Sequence, residues 1–227
     1  MSSDMASIAE NIEQLRKQLP AHVRLIAVSK TKPVSALLEA YGGGQRLFGE
    51  NYVQEIMEKQ PLLPHDIEWH FIGHLQSNKV KYIAPFVHCI HGVDSFKLLK
   101  EISKQASKNN RVIHCLLQVH IAQEESKFGF DSEELVRECE SFIPSDYPGV
   151  VLSGLMGMAS FTEDESILQR EFSQLKWTFE TLRNRIFRNL STFRELSMGM
   201  SSDWKLAVSE GSTMIRVGSS IFGSRNQ

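Results

Sequence analysis

Apolar positions along this chain alternate between two periods, and the alternation is regular enough to count. Ile8, Ile12, Leu15 and Leu19 recur at helical spacing, which predicts an amphipathic helix ending near Pro20. The apolar run over residues 23–28 then predicts a buried strand, bounded by Pro20 before it and Ser29-Lys30 after it. Pro33 suits the first turn of the next helix, which Gly42-Gly43-Gly44 terminates. Further strands are predicted over residues 46–49, 67–73, 87–93, 111–120, 150–157, 193–198 and 213–217, with helical patterns between most of them. The longest helix carries Leu168, Phe172, Leu175, Phe179, Leu182 and Ile186 as one stripe, and Thr162-Glu-Asp-Glu165 reads as the capping box that starts it.

With the first run, this makes eight strands, each followed by a helix or helical turn. Strict β/α alternation implies a parallel sheet. Eight units predict an α/β fold of the (β/α)8 TIM-barrel type with an extra N-terminal helix, although 227 residues is compact against the usual ~250. An open doubly wound sheet also alternates, but no GxGxxG follows the first strand. No low-complexity linker divides the chain, so residues 1–227 read as a single domain.

Composition narrows the classes of function. With 41% hydrophobic and 23% charged residues the chain can bury one continuous core without being fibrous or membrane-embedded. Its net charge of −2 gives no field for gripping nucleic acid or an anionic membrane, so any bound anion must be held by local geometry. Cys89, Cys115 and Cys139 are widely spaced with no CxxC pairing, which predicts reduced, buried thiols in a cytoplasmic protein. Asp4, Glu10 and Glu13 in the first twenty residues argue against a signal or transit peptide. No stretch approaches the roughly 18 apolar residues of a transmembrane helix.

In a (β/α)8 barrel the chemistry sits at the C-terminal strand ends. Lys30 follows the first strand. A lysine there is usually solvated, but a partly desolvated amine at a barrel mouth can lose its proton and form an imine with an aldehyde. Gly218-Ser219-Ser220 follows the last strand, and backbone N–H groups in such a turn form an anion nest suited to phosphate. Ser197 and Ser201, on either side of Gly199, add hydroxyls in the preceding loop. Arg216, two residues before the nest, is either a surface ion pair or a source of planar donors at the mouth. His70 and His74 share an i, i+4 spacing, but there is no HExxH, the segment reads as a strand and no cysteine is close in sequence, so a hydrogen-bonding role is expected over a metal site. Residues 124–127 read as a solvated charged loop, and Gly42–Gly44 is no P-loop because no Lys-Ser/Thr follows.

Longer strings carry a resemblance. Ala27-Val-Ser-Lys30, Phe48-Gly-Glu-Asn-Tyr-Val-Gln-Glu55, Phe71-Ile-Gly-His-Leu-Gln-Ser-Asn-Lys79, Ser126-Lys-Phe-Gly129, Gly154-Leu-Met-Gly-Met158, Leu196-Ser-Met-Gly-Met-Ser-Ser-Asp203, Gly211-Ser-Thr-Met-Ile-Arg-Val-Gly218 and Ile221-Phe-Gly223 occur in this order. The chain thereby resembles, nearly end to end, the pyridoxal-phosphate homeostasis protein family, whose barrel is similar to the N-terminal domain of alanine racemase. The resemblance implies that Lys30 holds pyridoxal 5′-phosphate (PLP) as a Schiff base. It implies that Ser201, Gly218 and Ser219 hold the phosphate with Ser197 close by, that Arg216 faces the pyridine nitrogen and that Asn51 neighbours the ring. It gives His74 no role.

An arginine at the pyridine nitrogen leaves it largely unprotonated and weakens the electron sink that most PLP catalysis uses. Alanine racemases work with that arrangement, but they add a β-rich second domain supplying a catalytic tyrosine, which this chain is expected to lack. The expectation is therefore a monomeric, cytoplasmic carrier acting in vitamin B6 homeostasis, with PLP-dependent apoenzymes as possible recipients and no nucleic-acid or membrane partner. A racemase or decarboxylase is the enzymatic alternative, and a cofactor-free phosphate-binding isomerase is a third class.

Overall fold

The computed structural model describes residues 6–124 and 128–223. Residues 125–127 of the expected charged loop lie outside the described residues, as do residues 1–5 and 224–227. Helix α1, Ile8–Gln18, opens with a capping box in which the Ser7 hydroxyl accepts the Glu10 N–H (3.2 Å) and the Glu10 carboxylate accepts the Ser7 N–H (2.6 Å). It buries Ile12 and Leu15, two of the four positions of its predicted stripe.

Eight strands follow: β1 Arg24–Val28, β2 Leu47–Glu50, β3 Glu68–Phe71, β4 Cys89–Val93, β5 Ile113–Gln118, β6 Val150–Met156, β7 Glu195–Ser197 and β8 Met214–Val217. Between and after them run α2 Val34–Gly42, α3 Val53–Lys59, α4 Val80–Ile83, α5 Phe96–Lys108, α6 Ser132–Cys139, α7 Glu165–Thr181, α8 Trp204–Ser209 and α9 Ser219–Phe222. All strand pairs are parallel, and β8 pairs back onto β1 to close the predicted barrel.

Register decides which side chains point inward, because partners in neighbouring parallel strands share a face. Ile26 lies beside Arg216, Gly49 beside His70, His70 beside Cys89, and Met156 beside Ser197. The opposite face carries Leu25, Ala27, Phe48, Trp69, Ile90, Leu117, Leu155, Leu196 and Ile215, which belong to the large apolar cluster under the helices. Only Cys89, Leu116, Met156 and Met214 form the small apolar cluster inside. Apart from these and Ile26, much of the interior among the described residues is polar, with His70, His91, Ser197 and Arg216 all buried. Most TIM barrels fill that space with branched aliphatic layers.

Three local expectations are corrected. The cap of α7 is Asp164, not Thr162: the Asp164 carboxylate accepts the Ser166 N–H (2.9 Å), while the Thr162 hydroxyl accepts the Asp164 N–H (3.1 Å) and closes the turn before the helix. The apolar stripe crosses from α7 into a π-helical turn at Leu182–Ile186, so it spans two helix types. Pro33 caps α2 with extended backbone instead of occupying its first turn. The three cysteines are free and buried as predicted, and burial pushes the Cys139 thiol up to about 12.

Candidate functional site

The segment carrying Lys30 is fixed on both sides by α3. Lys59 donates from Nζ to the Ser29 carbonyl (2.7 Å), to Glu50 Oε1 (2.7 Å) and to Glu55 Oε1 (2.6 Å). The Ser29 hydroxyl donates to the same Glu50 oxygen (2.6 Å), and Glu55 Oε1 also accepts the Thr31 N–H. Thr31 adopts φ 65°, the left-handed region that β-branched residues avoid, and its bond to Glu55 holds it there. Lys30 thus sits half-buried on a bend whose preceding carbonyl and following amide are both held. Burial raises the Glu50 carboxyl above its usual range, against the hydrogen bonds from Lys59 and Ser29 that lower it.

A second group of side chains joins β8 and β7, on the other side of β1, to β4 and β3 across the barrel interior. Arg216 donates from Nη1 to Ser197 Oγ (2.5 Å) and from Nη2 to the Gly157 carbonyl (3.0 Å). Ser197 Oγ lies 2.9 Å from His91 Nδ1, and His91 Nε2 lies 2.8 Å from His70 Nδ1. Four polar side chains thereby form one hydrogen-bonded row inside the barrel. Burial lowers the Arg216 guanidinium to about 10, which leaves it a cation at neutral pH. Burial also holds both imidazoles well below the usual histidine range, so they are neutral there.

Above this row lie the loops after β7 and β8. Ser201 Oγ accepts the Gly218 N–H at 3.2 Å, and the Asp203 carboxylate accepts the Met200 N–H at 2.6 Å. Gly199 makes that turn possible: its φ is 97°, and a Cβ there would stand 2.7 Å from the Ala207 methyl. Lys32 donates to the carbonyls of Phe222 (3.1 Å) and Gly223 (3.2 Å), which ties the Lys30 loop to the end of α9. Ser219 and Ser220 are exposed beside it.

Asn51 follows β2, and its Oδ1 is buried without a hydrogen-bond partner. It lines a cavity of about 500 Å³ with Tyr52, His74, Lys79 and Tyr82. Gly73 lets the backbone after β3 pass close to Asn51, since a Cβ there would stand 2.2 Å from the Asn51 carbonyl oxygen. His74 Nδ1 lies 3.2 Å from the Asp94 carboxylate, and its ring stacks on Phe128 at 3.7 Å.

Lys30, Asn51, Ser197, Ser201, Arg216, Gly218 and Ser219 therefore all lie on or just after β7, β8, β1 and β2, four neighbours in the closed sheet. Ser197 is placed deeper than the loop serines, where its hydroxyl meets Arg216 and His91. Sequence reasoning noted Glu50 as a strand-end residue without giving it a role, and it passed over Glu55, Lys59 and His91. The Glu55–Lys59 spacing of four was a readable signal; nothing in the sequence marked His91 as facing inward.

A family model described as the alanine racemase N-terminal domain matches residues 3–226. The pyridoxal phosphate homeostasis protein of Vibrio alginolyticus is 39% identical over 98% of this chain and 99% of its own. Its counterpart in Schizosaccharomyces pombe is 38% identical over 97% and 94%. The structure of PipY from Synechococcus elongatus with PLP bound matches with a TM-score of 0.87 and 41% identity, over 96% of this chain and 100% of that one. An alanine racemase from E. faecalis, 18% identical, shares the fold with a TM-score of 0.76 over 96% of this chain and 58% of its own. The fold is thus the alanine-racemase type of (β/α)8 barrel. Within that class, the chain belongs to the pyridoxal phosphate homeostasis protein family.

Proposed function

We propose that this protein holds PLP as a Schiff base on Lys30 and serves as a carrier in PLP homeostasis, receiving the cofactor and releasing it to apoenzymes. The observation that carries the reading is the arrangement of the mouth. Lys30 follows β1 on a bend clamped by Lys59 and Glu55, and β1 pairs with β8, which carries the buried Arg216 cation and runs into the 218–220 turn. The 41% identical PipY, solved with PLP bound, supports the same assignment.

The residues fit the cofactor. Its aldehyde supplies the carbon with which a lysine amine condenses, and Lys30 would be that amine. Ser201 and the N–H groups of the 218–220 turn would hold the phosphate, and Arg216 would face the ring nitrogen. The orphaned Asn51 Oδ1 offers an acceptor to a donor at the ring edge. Arg216 facing it would keep the ring nitrogen unprotonated, which would suit retention better than carbanion chemistry. The reading extends to a monomer acting in the cytoplasm.

Titration with PLP, followed by visible absorbance, tests this. Wild type should develop the Schiff-base band and Lys30→Ala should not; a band of equal strength and affinity in Lys30→Ala would remove Lys30 from the account. Sustained turnover on a panel of L- and D-amino acids would replace the carrier with an enzyme.

A further inference from the structure

The end of the barrel opposite Lys30 holds a second polar cavity, of about 220 Å³. His70, His88, Cys89 and His114 line it, with Arg24, Glu195 and Met214 among the others. The strand starts explain the gathering. Arg24, Glu68 and Glu195 each open a strand, and His88 stands immediately before β4. His70 follows Glu68 by two on β3, so both point into the barrel.

We propose that this end binds a divalent transition ion of the zinc class through Glu68, His70 and His88. One donor atom from each of the three lies within 4.8 Å of the other two, close enough for small side-chain movements to bring them around one ion. His88 Nε2 is already 3.5 Å from the Glu68 carboxylate.

His70 supplies the independent reason to look for a ligand. It is wholly buried, its Nδ1 is engaged by His91, and its Nε2 has no hydrogen-bond partner. A buried ring nitrogen left unmatched is costly, and an ion would satisfy it. The far side of the ring is also prepared. When His70 Nε2 ligates, its Nδ1–H donates to His91 Nε2, and His91 Nδ1–H donates to Ser197 Oγ, which also accepts from Arg216. Metal-ligating histidines almost always have such a partner on the other nitrogen. A second triad, His70 with Cys89 and His91, is also compact, but using His91 there would break this row.

The protonation state suits ligation. Burial lowers His70, His88 and His114, so the imidazoles are in the neutral form that ligates. The Arg24 guanidinium, whose charge opposes a cation at these histidines, is offset by its pairing with Glu195 at 3.0 Å. Glu68 and His88 are 43% and 35% exposed at their side chains, which gives an ion a path in and gives the test two sites that tolerate change.

The test uses the full-length protein stripped with a chelator. Zn²⁺ binding is measured by calorimetry, and Co²⁺ is used as a coloured substitute read by its ligand-field bands. The expected result is one ion per chain, with affinity at least about tenfold weaker in Glu68→Gln and in His88→Asn. His65→Asn, an exposed histidine elsewhere, should bind as wild type does. His70→Ala should abolish binding if it folds; the two rim variants keep the test decisive if it does not. Absence of stoichiometric binding, or equal affinity in wild type, Glu68→Gln and His88→Asn, overturns the proposal. So does a site that takes inorganic phosphate and no Zn²⁺, because Arg24 and Arg194 line the same cavity.

Discussion

Lys59 Nζ lies 2.7 Å from the carbonyl oxygen of Ser29, the residue that precedes Lys30. A helix lysine reaching a strand-end carbonyl through buried space links α3 to the proposed cofactor amine. Lys59 also neutralises Glu50, whose side chain is fully buried.

Lys59→Met should therefore damage both stability and retention. It leaves the Glu50 carboxylate and the Ser29 carbonyl without their cation, a change that typically costs about 3–5 kcal/mol. Chemical denaturation would show the loss. The double variant Lys59→Met/Glu50→Gln should recover part of it, since no buried charge is then stranded, while PLP affinity stays weak because the Lys30 loop remains unclamped. Wild-type affinity in the double variant would contradict the positioning role.

The buried histidines set a pH dependence. The folded pKa values of His70 and His91 are depressed, so the unfolded chain takes up protons that the native state refuses. Their contribution to stability is complete above the unfolded histidine pKa of ~6.5 and falls as the pH drops below it, by about 1.4 kcal/mol per pH unit for each residue. Denaturation midpoints between pH 5 and pH 6.5 (roughly the window between histidine and carboxylate titration) should give a shallower slope for His91→Gln than for wild type, by about one residue's share. Identical slopes would mean that His91 is not neutral in the folded protein.

The outline of the barrel was legible in the sequence, and its interior was not. Strands such as β1, Arg24–Val28, are flanked by apolar neighbours on both faces, so a short continuous run announces them. Which residue of Cys89-Ile-His91 faces inward depends on register against β3 and β5, information that local periodicity does not contain. The same gap hid the Arg216–Ser197–His91–His70 row. At the mouth, Lys30 and the 218–220 turn were singled out because strand ends are countable. Lys59 was passed over because a lysine in a helix normally faces water, and only the tertiary fold puts it beneath Ser29. Thr162 was mistaken for a cap because Asp164, two residues on, outcompetes it for the free N–H groups.

Arg216 offers a test that separates retention from linkage. Arg216→Gln loses the fixed charge and the bond to the Gly157 carbonyl. Charge-assisted bonds of this kind contribute about 1.5–3 kcal/mol, so PLP affinity should weaken by about tenfold or more. The visible band should still form at saturating PLP, because Lys30 is intact. Unaltered affinity would remove Arg216 from the proposed ring contact.

The most direct measurement is covalent. Wild-type protein is loaded with PLP, reduced with borohydride, digested, and its peptides are weighed. The account predicts that the reduced cofactor mass appears on the peptide containing Lys30, and that Lys30→Ala protein treated identically carries no stoichiometric label. A label on another lysine in wild type, or an undiminished label in Lys30→Ala, would contradict it.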